Sequence, residues 1–302
     1  MRRKISNVVA MYLREKRISL EKLTYNGYSS RVNTFLYWCL EYGPGDVNIN
    51  RIGENNMATF FGWLSNIRDA DKATAQKYLM ILKQIWRYAG KIGVCNKMPF
   101  TRVVLPPKKV DYSSLIMSKA DRITLERAMK ARDKQLYLCC MLQYYCFIRP
   151  GNEMTALKRS DFNLKKGQES VMIRQAGSKN KRNEVITIPE PLINILKEYE
   201  FNKIPDDHYI FSRRRTHGTK RLHPNTMRIR FINLRKDLGL DTKIKLYSFK
   251  HTGASELHRS GVPLVDMMEQ LRHVSMKSTQ HYVKKHVGTI NPRLRKWFIN
   301  TK

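Results

Sequence analysis

Residues 105–109 read Leu-Pro-Pro-Lys-Lys, and no amphipathic helix passes through them. A proline inside a helix removes a backbone donor and clashes with the preceding turn, and it pushes the residue before it into extended backbone. The break therefore divides a chain of 302 residues into two parts. At roughly 150 residues per domain, each part is long enough to hold a core of its own. We expect a domain over 1–104, a linker over 105–117 and a second domain over 118–302.

The pattern before the break is helical. A first helix is expected around Ser6 to Lys16. Tyr25, Tyr28, Val32, Phe35, Leu36, Cys39 and Leu40 recur at three and four residues, one face of an amphipathic helix with Thr24 as its expected cap. Met57, Phe60, Phe61 and Leu64 repeat the spacing over Glu54 to Ile67, as do Tyr78, Leu82, Ile85 and Trp86 over Asp71 to Ala89. The result is a four-helix module.

Beyond the break, Ser118 is placed to cap a helix to Arg132, and Lys134 to Phe147 is apolar nearly all round. Ser170–Arg174 and Glu184–Ile188 alternate as two half-buried strands around a lysine-rich turn. Helices over Pro191–Tyr199 and Pro224–Leu238 flank an expected short strand at Tyr209–Phe211. The fold class is thus mainly α with a small antiparallel β-sheet.

Charge narrows the partner. The formal net charge is +32, with a sequence pI near 10.1. Residues 1–110 carry 19 Lys and Arg against 7 Asp and Glu, and the remainder carries 38 against 18. Like charge at this density favours a polyanionic partner, and its spread over both domains suits a clamp on double-stranded DNA. The alternative is a ribosome-associated or simply basic protein.

Exposed helix faces offer Arg31, Lys77 and Lys83 as DNA-binding candidates, the linker offers Lys108 and Lys109, and the helix over 224–238 offers Arg228 and Arg230. Five cysteines without a CxxC pair indicate neither a disulfide framework nor a zinc site, and a reducing cytoplasm fits them. The longest apolar run, Leu136 to Ile148, is too short to span a bilayer, and no apolar signal core follows the basic Met1–Lys4.

Chemistry concentrates between Leu246 and Lys285. Lys250, His251, Arg272 and His273 precede a tyrosine, Tyr282. A phenol oxygen can attack a phosphate, while cations and imidazoles bind phosphoryl oxygens or move protons. Upstream, Arg149 follows an apolar helix directly, so it must be paired or face a ligand, and Glu153 is the candidate partner. Arg272 reads equally as a surface ion pair, a DNA phosphate contact or a catalytic group.

Taken together, Phe147-Ile148-Arg149 leading through Glu153 and Leu157 to Asp161, the hairpin lysine, Tyr247-Ser248-Phe249-Lys250-His251-Thr252, Leu271-Arg272-His273 and Tyr282 nine residues on resemble the tyrosine recombinases, the phage-integrase family. The resemblance covers most of the chain. It implies a helical, SAM-like core-binding domain followed by an α+β catalytic domain. Two positions depart from the family pattern: Tyr247 stands where histidine is usual, and Lys250 where arginine is usual. Lysine is a flexible point charge and does not reproduce arginine's planar fork.

The resemblance implies that Tyr282 attacks the scissile phosphate to give a 3′-phosphotyrosyl intermediate, with no metal or ATP. Arg149, Lys250 and His273 would cradle the nonbridging oxygens, with Lys179 as general acid, or Lys181 if the turn is shifted. Tyr247 would donate only a hydrogen bond, because a phenol of pKa about 10 is a poor proton shuttle at neutral pH. Glu153 and His251 would play supporting parts.

The implied activity is site-specific recombination or integration of DNA, often of a mobile element. The implied assembly is a monomer in solution and a tetramer at synapsis, with accessory DNA-bending proteins as further partners. Residues 283–302 are expected to pack on a neighbouring protomer or on their own core. The alternatives are a DNA-binding protein of the same fold that lost the chemistry, and a type IB topoisomerase.

Overall fold

The computed structural model describes residues 3–108, 116–175 and 182–283, the last three of these by backbone alone. The chain forms two compact units, 1–110 and 111–302.

The first unit is built from α1 (Ile5–Ser19), α2 (Lys22–Glu41), α3 (Glu54–Asn66) and α4 (Lys72–Lys91). Their three-and-four spacing becomes one core, in which Phe35, Trp38, Phe60 and Trp86 are almost completely buried. Phe35 meets Phe60 edge to face at 5.0 Å and Trp86 at 6.1 Å. Such ring pairs add about 0.5–1.5 kcal/mol each beyond the area they bury.

Asp71 caps α4 by accepting from Thr74 N at 2.8 Å. Thr24 does not cap α2. That helix begins one turn earlier, from Glu21, which makes no side-chain cap bond. Its first turn is largely exposed and carries no apolar periodicity to betray it.

The second unit is arranged around α6 (Lys134–Cys146), which is buried on every face as its composition requires. Ser118 caps the preceding α5 (Lys119–Arg132) by accepting from Asp121 N at 3.0 Å. After α6 come α7 (Asn152–Ala156) and a three-stranded antiparallel sheet of β1 (Phe162–Asn163), β2 (Ser170–Ile173) and β3 (Glu184–Thr187) in that order. The register pairs Val171 with Ile186 and Ile173 with Glu184. One face of the sheet thus buries Val171, Ile173 and Ile186 together with a single acid, Glu184.

There follow α8 (Glu190–Glu198), α9 (Thr226–Asp237), α10 (Ser248–Arg259), α11 (Leu264–Leu271) and α12 (Met276–Val283). The strand expected at Tyr209–Phe211 is not a ladder. Tyr209 makes isolated bridges to Lys158 and Gly218.

Among the packed helices, α10 lies closest to α6. At Gly253 an added Cβ would stand 2.0 Å from the Tyr144 carbonyl oxygen, so glycine is the residue that lets the backbones meet. Thr252 Oγ1 accepts from Met117 N at 3.0 Å and ties α10 to the entry of α5. The first two turns of α10, including Lys250, are buried. Among the described residues, no helix is long and apolar enough to cross a membrane.

Candidate active site

The site grows from the end of α6. Phe147 closes that helix in the left-handed conformation, φ 54°, which is costly for a bulky residue. Burial of its ring with Ala254, Met267 and Leu271 holds it there. The turn sends Arg149 outward, and Gly151 at φ 94° starts α7 so that Glu153 faces back. The Glu153 carboxylate accepts from Arg149 Nη1 at 2.6 Å and from the Arg149 backbone N at 3.1 Å. The Arg149 side chain keeps 18% of its surface, whereas that of Glu153 keeps 3%.

Arg272 is not on the surface. It caps α11 in the left-handed conformation at φ 57°, and its side chain is 2% exposed. Nη2 donates to Glu153 Oε2 at 2.8 Å, and Nη1 donates to Glu184 Oε2 at 3.2 Å. Glu184 also takes a bond from Arg182 Nε at 3.2 Å. One ionic chain therefore runs from Arg149 through Glu153 and Arg272 to Glu184 and Arg182. Two residues before Arg272, Gln270 brackets the edge of β3, donating to Thr187 O at 2.7 Å and accepting from Thr187 N at 3.2 Å. Arg272 and then Arg149 stabilise the Glu153 charge against burial and hold its pKa below the usual carboxylate value.

Tyr247 and Lys250 lie at the start of α10. Lys250 is 1% exposed and turned inward, with Nζ donating to Phe147 O at 2.8 Å. Burial, then repulsion by Arg149 and Arg272, drives its pKa well below that of a free lysine. The Tyr247 ring tilts against His251 with centroids 4.9 Å apart, and burial raises its phenol pKa. His251 is itself buried.

His273 follows Arg272 and is half-buried. Burial, with Lys250, Arg149 and Arg272 nearby, lowers its pKa to about 4, so the imidazole is neutral at pH 7. Its Nδ1 lies 2.9 Å from Oγ1 of the buried Thr279 on α12, the helix that carries Tyr282.

The structure thus brings Arg149, Glu153, Tyr247, Lys250, His251, Arg272 and His273 together, and presents Arg149, Tyr247 and His273 with part of their surface accessible. Lys179 and Lys181, Lys109 and the tail 284–302 lie outside the described residues, as does the side chain of Tyr282. Beside Arg149, a cleft of about 560 Å³ opens between Pro150, Pro224, Ile232 and Tyr247, with Arg228 and Lys245 among its lining.

Of the other basic candidates, Lys77, Lys108 and Arg228 are exposed. Lys83 sits 6.0 Å from the Phe100 ring centroid, and Arg31 donates to its own Gly27 O. Arg230 is turned inward, donating to Gln135 Oε1 at 2.8 Å near Asp133.

Glu184 is the site residue that sequence reasoning passed over. Its signal is an acid on the inward register of an alternating strand, in phase with Ile186. Among the described residues, no group of three or more His, Cys, Asp or Glu side chains forms a metal cluster. Chemically, the arrangement offers an accessible guanidinium held by a buried carboxylate, a neutral imidazole and a phenol, donors suited to the oxygens of a phosphodiester.

The chain matches the family model described as the phage integrase family over residues 114–288, and the phage integrase SAM-like domain over residues 4–108. It is 27% identical over 282 residues to tyrosine recombinase XerC of Rickettsia peacockii (strain Rustic), covering 88% of each chain. Tyrosine recombinase XerA of Pyrococcus furiosus is 29% identical over 157 residues, 51% of each chain.

Among solved structures, the Tn1549 transposon integrase in complex with transposon right end DNA superposes with TM-score 0.74 at 12% identity, covering 98% of this chain and 99% of that one. A lambda integrase dimer bound to a COC′ core site gives TM-score 0.74 at 18% identity, covering 92% of this chain and 77% of that one. At these identities the structural likenesses carry the fold alone.

Proposed function

Because this chain belongs to the phage integrase family and is a tyrosine recombinase, a DNA strand transferase, we propose that Tyr282 is its nucleophile and that Arg149, Tyr247 and His273 receive the scissile phosphate. The observation that supports this reading most is Arg149, whose partly accessible guanidinium is held by the buried Glu153, beside a half-buried His273 that touches the Tyr282 helix through Thr279.

In the forward step the Tyr282 phenol oxygen attacks phosphorus and gives up its proton to solvent water. The P–O5′ bond breaks, and the leaving 5′ oxygen takes a proton from Lys179. The product is a 3′-phosphotyrosyl linkage and a free 5′ hydroxyl. Attack by a 5′ hydroxyl reverses the step and releases the phenol, so the bond energy is conserved and no ATP is needed.

Arg149 neutralises the nonbridging oxygens. In the tautomer in which the Thr279 hydroxyl donates to Nδ1, the His273 proton resides on Nε2 and is offered to the phosphate. Tyr247 donates a hydrogen bond at the same centre. Lys250 acts from beneath, through the Phe147 carbonyl that shapes the Arg149 turn.

Double-stranded DNA is the partner, bound by both basic units, and the assembly at synapsis is a tetramer, the state in which lambda integrase is solved on a Holliday junction. Accessory DNA-bending proteins, a mobile element as substrate and a cytosolic location complete the proposal. Incubation with a nicked suicide substrate is expected to give a covalent protein–DNA adduct that is absent in Tyr282→Phe. An adduct that persists in that variant contradicts the assignment, and DNA binding without any adduct favours a non-catalytic protein of the same fold.

A further inference from the structure

Arg272 occupies a backbone position that suits glycine. It ends α11 at φ 57° and ψ 46°, where glycine is the usual residue because it has no Cβ to clash. An arginine is retained there, and its guanidinium is removed from solvent, 2% exposed. Both conditions are unfavourable unless the side chain has work at that place.

Its bonds indicate the work. Nη2 holds Glu153 Oε2 at 2.8 Å, while the other oxygen of the same carboxylate holds Arg149 Nη1 at 2.6 Å. A carboxylate gripped on both sides cannot rotate without breaking a buried charge-assisted bond, so the direction of the Arg149 fork is set from Arg272. The base of this arrangement is rigid, since Glu184 takes Arg272 Nη1 at 3.2 Å and Gln270 pairs with Thr187 on the same strand. Lys250 bears on Arg149 by another route, through the Phe147 carbonyl that its Nζ holds at 2.8 Å and that Arg272 Nη2 also approaches at 3.5 Å, and it does not touch the Glu153 carboxylate bond to the guanidinium.

We propose that Arg272 is a positioning residue which aims Arg149 at the scissile phosphate through Glu153. The proposal deepens the recombinase reading above and rests on it.

The test is single-turnover cleavage of two suicide substrates, one with an ordinary phosphodiester and one with a methylphosphonate at the scissile position. The methylphosphonate replaces a charged nonbridging oxygen by a methyl group and removes most of the need for a guanidinium. Arg272→Gly relaxes the backbone while deleting the side chain.

On the phosphodiester, Arg272→Gly is expected to slow cleavage by about 100-fold, the order of one lost transition-state donor. On the methylphosphonate the same change is expected to cost less than about fivefold, with DNA affinity unchanged. The double variant Arg149→Ala/Arg272→Gly should match Arg149→Ala within about threefold, since residues acting as one unit are not additive.

Equal losses on both substrates, or losses that multiply in the double variant, overturn the proposal and make Arg272 a purely structural residue. If Arg272→Gly does not fold, Arg272→Lys carries the same comparison, because lysine cannot grip both carboxylates. If the wild-type chain forms no adduct on the phosphodiester, the recombinase reading itself fails, an outcome distinct from an unselective effect of Arg272.

Discussion

Glu153→Gln removes one charge and almost no volume from the centre of the ionic chain. The wild-type carboxylate is 3% exposed and accepts from Arg149 Nη1 at 2.6 Å, Arg272 Nη2 at 2.8 Å and the Arg149 backbone N at 3.1 Å. Removing one partner of a buried ion pair costs about 3–5 kcal/mol because the other charge stays buried. Glutamine retains one acceptor oxygen, and Arg272 retains Glu184, so the lower end applies, about 3 kcal/mol.

A unit of this size loses about 2–4 °C of Tm per kcal/mol, which gives a fall of about 6–12 °C. The exposed pair Lys203–Glu200, 2.5 Å apart with side chains 75% and 65% exposed, is the control. Such exposed pairs are screened by solvent and contribute little, so Glu200→Gln should leave Tm nearly unchanged.

The assay is scanning calorimetry of the intact chain at pH 7 and again in acid. Arg272 and Arg149 lower the Glu153 pKa in the folded state. Its contribution is therefore fully present above the unfolded value of about 4.3 and is lost as pH falls through the folded value, so the gap between wild type and variant narrows there. A Glu153→Gln protein that melts within about 2 °C of wild type at pH 7 refutes the reasoning.

The remaining predictions concern the packing beneath the site and its titration. Gly253→Ala forces α10 away from the Tyr144 carbonyl, 2.0 Å from the new methyl, and should cost about 1–3 kcal/mol in urea unfolding, where an unchanged midpoint would contradict the contact. Lys250→Met exchanges a buried amine and its bond to Phe147 O for a side chain of similar length. It should change stability by less than about 1.5 kcal/mol, whereas Lys250→Ala leaves a cavity costing about 2–5 kcal/mol; equal losses would mean that the amine bond dominates.

His273 should titrate by NMR near pH 4, lowered by burial first and then by Lys250, Arg149 and Arg272. Its stabilising share is present above the unfolded value of about 6.5 and is lost as pH falls from there through the folded value, so His273→Gln should flatten the stability slope across that window.

Much of the fold was legible because it depends on local pattern. The three-and-four spacings, the cap at Ser118 and the alternation of the two longer strands are short-range facts that place elements within a few residues. The motif spacing from Arg149 to Tyr282 likewise led to the family to which the chain belongs.

The site was legible in which residues matter and much less in how they face. Lys250 reads as a cation at a usual arginine position, but its direction is decided by the Phe147 carbonyl, 103 residues away in sequence. Arg272 reads equally as a surface ion pair, a DNA phosphate contact or a catalytic group, because its partners Glu153 and Glu184 lie 119 and 88 residues distant. A buried charge network of this span leaves no periodicity. Its local traces are an arginine where glycine would be unstrained and an acid on the inner face of β3.

The central claim is that Tyr282 is the nucleophile, and peptide mapping of a trapped adduct tests it most directly. The wild-type chain, trapped on a nicked suicide substrate, digested and analysed by mass spectrometry, should yield the Tyr282 peptide joined to a DNA 3′-phosphate. A nucleotide on any other side chain, or a linkage to a 5′-phosphate, would contradict the account.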